Sequence, residues 1–214
     1  MKCFALSAAF VALTLPAMAQ TAPDCAKLTA PVDRAICADP ALGDLDKALR
    51  LSFTKARARV DSDALKALEK DQKDFLAERA MVFENRSMPL ESYMKNRLSF
   101  LDGLENPAWS RDATAFLGIW RNSLGEVRIS KDDAGKLVVA ISTLSPAESK
   151  WICDIEGSGI PRNGKLEFSE DEVKITVSRR GSALVVGDQL PQGDGGRPFC
   201  GANGYIDGAF FKMK

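Results

Sequence analysis

The sequence of 214 residues contains no histidine. This absence excludes the Ser-His-Asp and Cys-His arrangements, the HExxH zinc helix and most acid-base schemes that depend on an imidazole. The chain also lacks net charge, because 29 basic residues balance 29 acidic ones, and it therefore has no sign of the basic surface typical of a nucleic-acid-binding protein. We predict no catalytic residue, no cofactor, no metal site and no nucleic-acid partner.

Long apolar runs are missing as well, apart from one near the start. Phe4–Leu15 is an apolar run of about a dozen residues, whereas a membrane-spanning helix needs roughly 20. Lys2 precedes this run, and Pro16-Ala17-Met18-Ala19 ends it with a small-x-small cleavage pattern. We predict a removable signal peptide over residues 1–19, cleaved near Ala19, and a periplasmic or secreted protein. No lipobox precedes Cys25, so we expect no membrane anchor.

Cysteine is scarce, and Cys3 would leave with the signal peptide. An exported protein meets an oxidising compartment, where four remaining cysteines allow three connectivities. Proximity in sequence and the division of the chain into two halves favour two intradomain pairs. A zinc site is disfavoured, because zinc sites usually combine clustered cysteine and histidine. The favoured pairs are Cys25 with Cys37 and Cys153 with Cys200.

The first half, from residue 24 to about 105, has a helical hydrophobic period. Leucine, phenylalanine and other apolar residues recur there at spacings of three and four. We predict a short helical turn over Pro31–Cys37 and three helices. The first helix follows Asp39-Pro40, the second is capped within Asp61-Ser62-Asp63, and the third begins near Ser87 with Pro89 in its first turn.

Two polar residues, Gln72 and Arg79, fall on the apolar stripe of the second helix. Their polar ends must be hydrogen-bonded if they are buried. We therefore interpret both as ties between helices, with Asp46 or Asp33 as the carboxylate partner of Arg79.

From Phe116 onward the chain changes to short alternating segments separated by turns such as Asn163-Gly164. No helix is predicted between them, so the sheet should be antiparallel. We predict an α+β chain of two domains: a three-helix unit with a disulfide-stapled extension over residues 20–106, and a barrel or sandwich of seven to eight strands over 107–214.

Other candidate features in the second half are weak. The carboxylate pairs Asp188 with Asp194 and Asp154 with Glu156 could serve a carbohydrate-active enzyme only if a cleft held them. We interpret Gly157-Ser158-Gly159 and Cys200–Gly204 as small-residue loops that could reach into a partner's groove.

The helical half contains a series of short motifs: Asp24-Cys25-Ala26-Lys27, Pro31–Asp39, Leu42, Leu45-Asp46, Gln72–Arg79, and Tyr93 with Arg97-Leu98. These residues resemble the N-terminal domain of the LprI-like lysozyme-inhibitor family, over roughly residues 24–104. The resemblance implies a binding module without catalytic residues. The positions that carry the motif's structural residues are Asp33, Arg34, Asp39, Asp46, Gln72 and Arg79.

The β half is similar in style to small barrel inhibitors of the MliC type, which use a disulfide and a Ser/Lys loop against the lysozyme cleft. Ser158 and Lys165 are the suggestive positions here. These resemblances imply a periplasmic, non-enzymatic protein whose partner is lysozyme or a related wall-degrading hydrolase. The alternative is an envelope interaction or structural module that binds another periplasmic protein or peptidoglycan.

Overall fold

The computed structural model describes residues 25–105, 112–145, 147, 150–190 and 197–214. The predicted signal peptide, the predicted domain boundary at 106–107 and Asp194 lie outside the described residues. Within the described part of the chain, no helix is long and apolar enough to cross a membrane.

The N-terminal part contains four α-helices, so the prediction of three was wrong. The segment interpreted as a short turn is a complete eight-residue helix. Pro31 fits the first helical turn without losing a hydrogen bond, and Val32 and Ile36 lie one turn apart and are both buried. The helices are α1 (Pro31–Ala38), α2 (Pro40–Arg57), α3 (Ser62–Asn85) and α4 (Leu90–Gly103).

Side-chain caps decide where two of these helices begin. The Asp39 carboxylate accepts a hydrogen bond from the Ala41 amide at 2.8 Å and starts α2. Asp61 accepts from the amides of residues 63 and 64 at 3.0 Å, which confirms a cap for α3 in the predicted segment. α4 begins at Leu90, and Pro89 flanks it rather than lying in its first turn.

The C-terminal part is one antiparallel sheet of eight strands that forms a nearly closed barrel, as predicted. Its order is β4-β3-β2-β1-β8-β7-β6-β5, so β4 and β5 meet where the barrel closes. Alternate side chains point inward, and the burial of β3 and β6 follows this period of two. The strands are β1 (Gly118–Arg121), β2 (Gly125–Lys131), β3 (Leu137–Leu144), β4 (Ile152–Gly159), β5 (Lys165–Glu170), β6 (Val173–Arg180), β7 (Ala183–Gln189) and β8 (Gly208–Lys212).

The helices pack on the wall of the barrel through a shared core. Phe211 of β8 and Ala183 of β7 belong to the hydrophobic cluster that the helices form. The Lys214 amide donates to the Gly103 carbonyl at 3.0 Å, and the Glu105 amide donates to the Lys212 carbonyl at 2.9 Å. The end of α4 is thus hydrogen-bonded to the last strand and the residues that follow it.

Candidate protein-binding surfaces

Five of the six motif residues lie around one groove between α1, α2 and α3. The groove has a volume of about 810 Å³. Its apolar lining includes Ile36, Leu49, Phe53 and Phe75, and Leu76 is exposed there. The motif residues that line it are Asp33, Asp39, Asp46, Gln72 and Arg79.

Arg79 ties three helices together at this groove. Its Nη1 atom donates to Asp46 at 2.8 Å and its Nη2 atom donates to Asp33 at 3.0 Å, the two partners that the sequence predicted. The Arg79 side chain is only 9% exposed, so both carboxylates balance a buried charge that would otherwise be costly. These residues therefore fix the positions of α1 and α2 on α3.

The sixth motif residue, Arg34, does not line the groove. It donates to the carbonyl oxygens of Leu28 at 2.9 Å and Thr29 at 2.8 Å. The Cys25–Cys37 disulfide, which the sequence favoured, fastens the same segment to α1. Arg34 and the disulfide together hold the extension that precedes the first helix.

A second buried ionic cluster, which we did not predict, joins the helices to the barrel. Arg97 of α4 donates to Asp71 at 2.5 Å and to the Gln72 side-chain oxygen at 3.0 and 2.8 Å. Asp71 also accepts from the Ser123 amide at 2.8 Å, in the turn between β1 and β2. Gln72 thus ties α3 to α4, as interpreted from its place on the stripe. The signal for Arg97 was available, because it lies on the apolar stripe of its own helix.

Beside this cluster, α3 and α4 share a carboxyl–phenol hydrogen bond. The Tyr93 hydroxyl and the Glu78 carboxylate lie 2.9 Å apart. Burial raises the pKa of Glu78 to about 7, against the opposing effect of the Tyr93 hydrogen bond. Burial and the nearby Glu78 charge raise the pKa of Tyr93 as well. Glu78 therefore titrates near neutral pH.

A separate feature is an apolar surface at one end of the barrel, which we call the end patch. Ile152 is 58% exposed, Leu144 43% and Tyr205 37%. Leu144 and Ile152 are register partners on β3 and β4, and the rings of Trp151 and Tyr205 lie 5.1 Å apart. The end patch consists of Leu144, Ile152 and Tyr205. Trp151 is partly buried and packs against the barrel core beside Tyr205.

Covalent and ionic contacts hold the end patch in place. The Cys153–Cys200 disulfide, the second favoured pair, joins β4 to the segment before Tyr205. Thr143 donates its hydroxyl to the Tyr205 carbonyl at 2.8 Å. Arg197 pairs with the buried carboxylate of Asp188, whose side chain is 5% exposed. The surface is therefore preformed, which reduces the entropy lost on binding.

Carboxylates lie near Tyr205 of the end patch. Burial raises the pKa of Tyr205, and the charges of Glu78 and Asp74 add to this effect. Two cations near Tyr205, Lys70 and Arg197, pair with Asp74 and Asp188, and Lys150 directly precedes Trp151 in sequence.

Of the two small-residue segments expected as loops, one was wrongly assigned. Gly157-Ser158-Gly159 is part of β4, and Ser158 pairs with Val138. A Cβ atom on Gly157 would collide with the Phe168 ring of β5, so this glycine permits the barrel to close. The other segment, 200–204, is a turn beside the end patch.

Three of the four candidate acidic residues, Asp154, Glu156 and Asp188, lie in the described part of the chain. Asp188 is committed to Arg197, and Asp154 and Glu156 lie on the outer face of β4. In the described part of the chain, no group of three acidic or sulfur-bearing side chains could hold a metal ion.

Comparison with known proteins gives no relative: no family model, curated protein or solved structure matches this chain.

Proposed function

We propose that this chain is a periplasmic or secreted, non-enzymatic binding protein that inhibits lysozyme or a related wall-degrading hydrolase. The observation that carries the proposal is the end patch, because aromatic and aliphatic side chains on a rigid surface are typical of the centre of a protein interface. The resemblance of the helical part to the LprI-like family supports the choice of partner. Two disulfides are typical of proteins in oxidising compartments and support the location.

The end patch suits an inhibitor for a physical reason. Its exposed Tyr205 ring packs on Trp151 and has few rotatable bonds, so little side-chain entropy is lost on binding. Leu144 also lines a cleft of about 500 Å³ between the helices and the barrel. A segment of the hydrolase could therefore contact the end patch and the mouth of this cleft together.

The test measures lysis by several lysozyme types in the presence of the full chain, expressed with its N-terminal segment and purified from the periplasm. We expect inhibition by the wild-type chain and about tenfold weaker inhibition by Ile152→Ala. Ile160→Ala is the matched control, because Ile160 is 61% exposed but lies at the opposite end of the barrel. Absence of inhibition at a large molar excess would overturn the proposal.

The disulfides supply a second comparison. Cys153→Ser with Cys200→Ser removes the link that holds the turn before Tyr205, so inhibition should weaken together with stability. Cys25→Ser with Cys37→Ser removes the link in the helical part, and inhibition should persist at temperatures where the variant remains folded. Equal loss of inhibition in both double variants would contradict an interface at the end patch.

A further inference from the structure

We infer that the end patch and the adjoining outer face of β4 together bind a cationic protein surface. This inference rests on the proposed function, because it specifies the chemistry of the partner at the same site.

The outer face of β4 continues directly from the end patch. Ile152, Asp154 and Glu156 alternate along the strand and are all exposed. Their register partners on β3 are Leu144, Ser142 and Ala140, respectively. Ser142 and Ala140 are small, so a shallow depression of about 440 Å³ lies beside them. The carboxylates of Asp154 and Glu156 lie at its edge. A partner side chain can enter this depression beside either carboxylate.

The charges on this face are unevenly paired. The Glu126 side chain accepts hydrogen bonds from Arg121 and Arg128, both at 2.7 Å, and Arg128 also lines the depression. This face therefore carries three carboxylates and two guanidinium groups, one negative charge in all. Within the described residues, no ion pair involves Asp154 or Glu156. Two solvated carboxylates are thus available to a partner, and arginine pairs well with a carboxylate through two parallel hydrogen bonds.

The arrangement favours a protein over a metal ion or a small cation. A metal ion would need more ligands than these two side chains, and the described residues contain no such group. The apolar Ile152 and Leu144 lie next to the carboxylates, so a partner must present cationic and aliphatic groups together. A surface with arginine or lysine beside exposed aliphatic residues meets both requirements. The two carboxylates would steer a basic protein toward the end patch although the chain carries no net charge.

The test compares two variants that change the net charge equally. Asp154→Asn with Glu156→Gln removes two negative charges from the proposed interface. Asp133→Lys makes the same change in net charge in the turn between β2 and β3, at the opposite end of the barrel. The probe is a strongly basic lysozyme, and association rates are measured at low and at high salt. The second probe is succinylated lysozyme, in which each modified amine has lost its positive charge and carries an added carboxylate.

We expect the double variant to associate about tenfold more slowly at low salt, and Asp133→Lys to change the rate by less than about twofold. The difference should shrink at high salt, and succinylated lysozyme should bind weakly. Equal association rates for the double variant and the wild-type chain would overturn the inference and leave the proposed function standing. So would inhibition of a neutral or acidic hydrolase but not of the basic one. Absence of binding to any hydrolase overturns both.

Discussion

At the residue scale, the helical part depends on two buried guanidinium groups. Arg79 and Arg97 each donate hydrogen bonds to two partner side chains. The Cζ atom of Arg97 also lies 5.1 Å from the ring centroid of Phe75 and 4.6 Å from that of Phe100. A buried ion pair is costly to form but far more costly to break on one side. Each arginine therefore makes the packing of the helices specific.

Asp71→Ala should lower the free energy of unfolding by about 3–5 kcal/mol, because it leaves the Arg97 charge buried without its carboxylate. It also removes the acceptor of the Ser123 amide. Chemical denaturation measures the change. Asp74→Ala, one helical turn away in an exposed pair with Lys70, is the control and should cost less than about 1 kcal/mol. A similar loss in both variants would contradict this account.

Glu78 should make stability depend on pH. Its pKa is about 7 in the folded chain and 4.5 without the fold, so the folded state binds more protons between these values. The contribution of Glu78 to the free energy of unfolding is therefore largest below pH 4.5. This contribution is lost as the pH rises through 7.

Glu78→Gln should remove this dependence on pH. At pH 8 it should raise the free energy of unfolding by about 1 kcal/mol, because solvent screens part of the cost of the Glu78 charge. Denaturation of both proteins at pH 5 and pH 8 measures the difference. A constant difference between the two proteins at both pH values would contradict the raised pKa.

At the element scale, the closure of the barrel depends on the contact between β4 and β5. Gly157 lies under the Phe168 ring, and a Cβ atom at Gly159 would approach the Glu167 carbonyl oxygen to 2.9 Å. The glycines therefore allow the two terminal strands of the sheet order to approach closely.

Gly157→Ala should destabilise the chain by about 1–3 kcal/mol, because the Phe168 ring must leave its position. Thermal unfolding measures the effect. Gly187→Ala on β7 is the control, since a Cβ atom there meets nothing within 4 Å. Phe168→Leu should recover part of the stability in the Gly157→Ala background. An unchanged melting temperature in Gly157→Ala would show that β4 and β5 do not need this contact.

At the scale of the whole molecule, helices and barrel should unfold together. Phe211 belongs to the helical cluster and packs edge-to-face on Phe100 at 6.2 Å. At the N-terminal end of α3, the helix cap Asp61 accepts a hydrogen bond from the Ser182 amide in the turn between β6 and β7.

Phe211→Ala should cost about 3–5 kcal/mol and lower the transitions of both parts equally. Far-ultraviolet circular dichroism follows the helices, and the fluorescence of Trp120 and Trp151 follows the barrel. Coincident transitions are expected in the wild-type chain and in the variant. Separate transitions in the wild-type chain would contradict a shared core.

Much of the architecture could be predicted from local patterns. The helical period indicated three of the four helices, and α1 was predicted only as a short turn because it is eight residues long. Asp61 could be recognised as a cap, and Arg79 as a helix tie, because a charged residue on an apolar stripe needs a carboxylate. Of the three possible connectivities, proximity and the change of period between the halves favoured the two disulfides that the structure contains.

The sequence by itself therefore determined most of the elements and the role of Arg79 as a helix tie, since spacing along the chain encodes which face is buried. It favoured the two disulfides without fixing them. Only the tertiary structure decided that the two parts share a core and that Gly157 closes the barrel, because both depend on contacts between distant segments. The end patch also depends on contacts between distant segments. Leu144, Ile152 and Tyr205 are unremarkable in sequence, and they become one surface only when β3, β4 and the Cys200 turn come together.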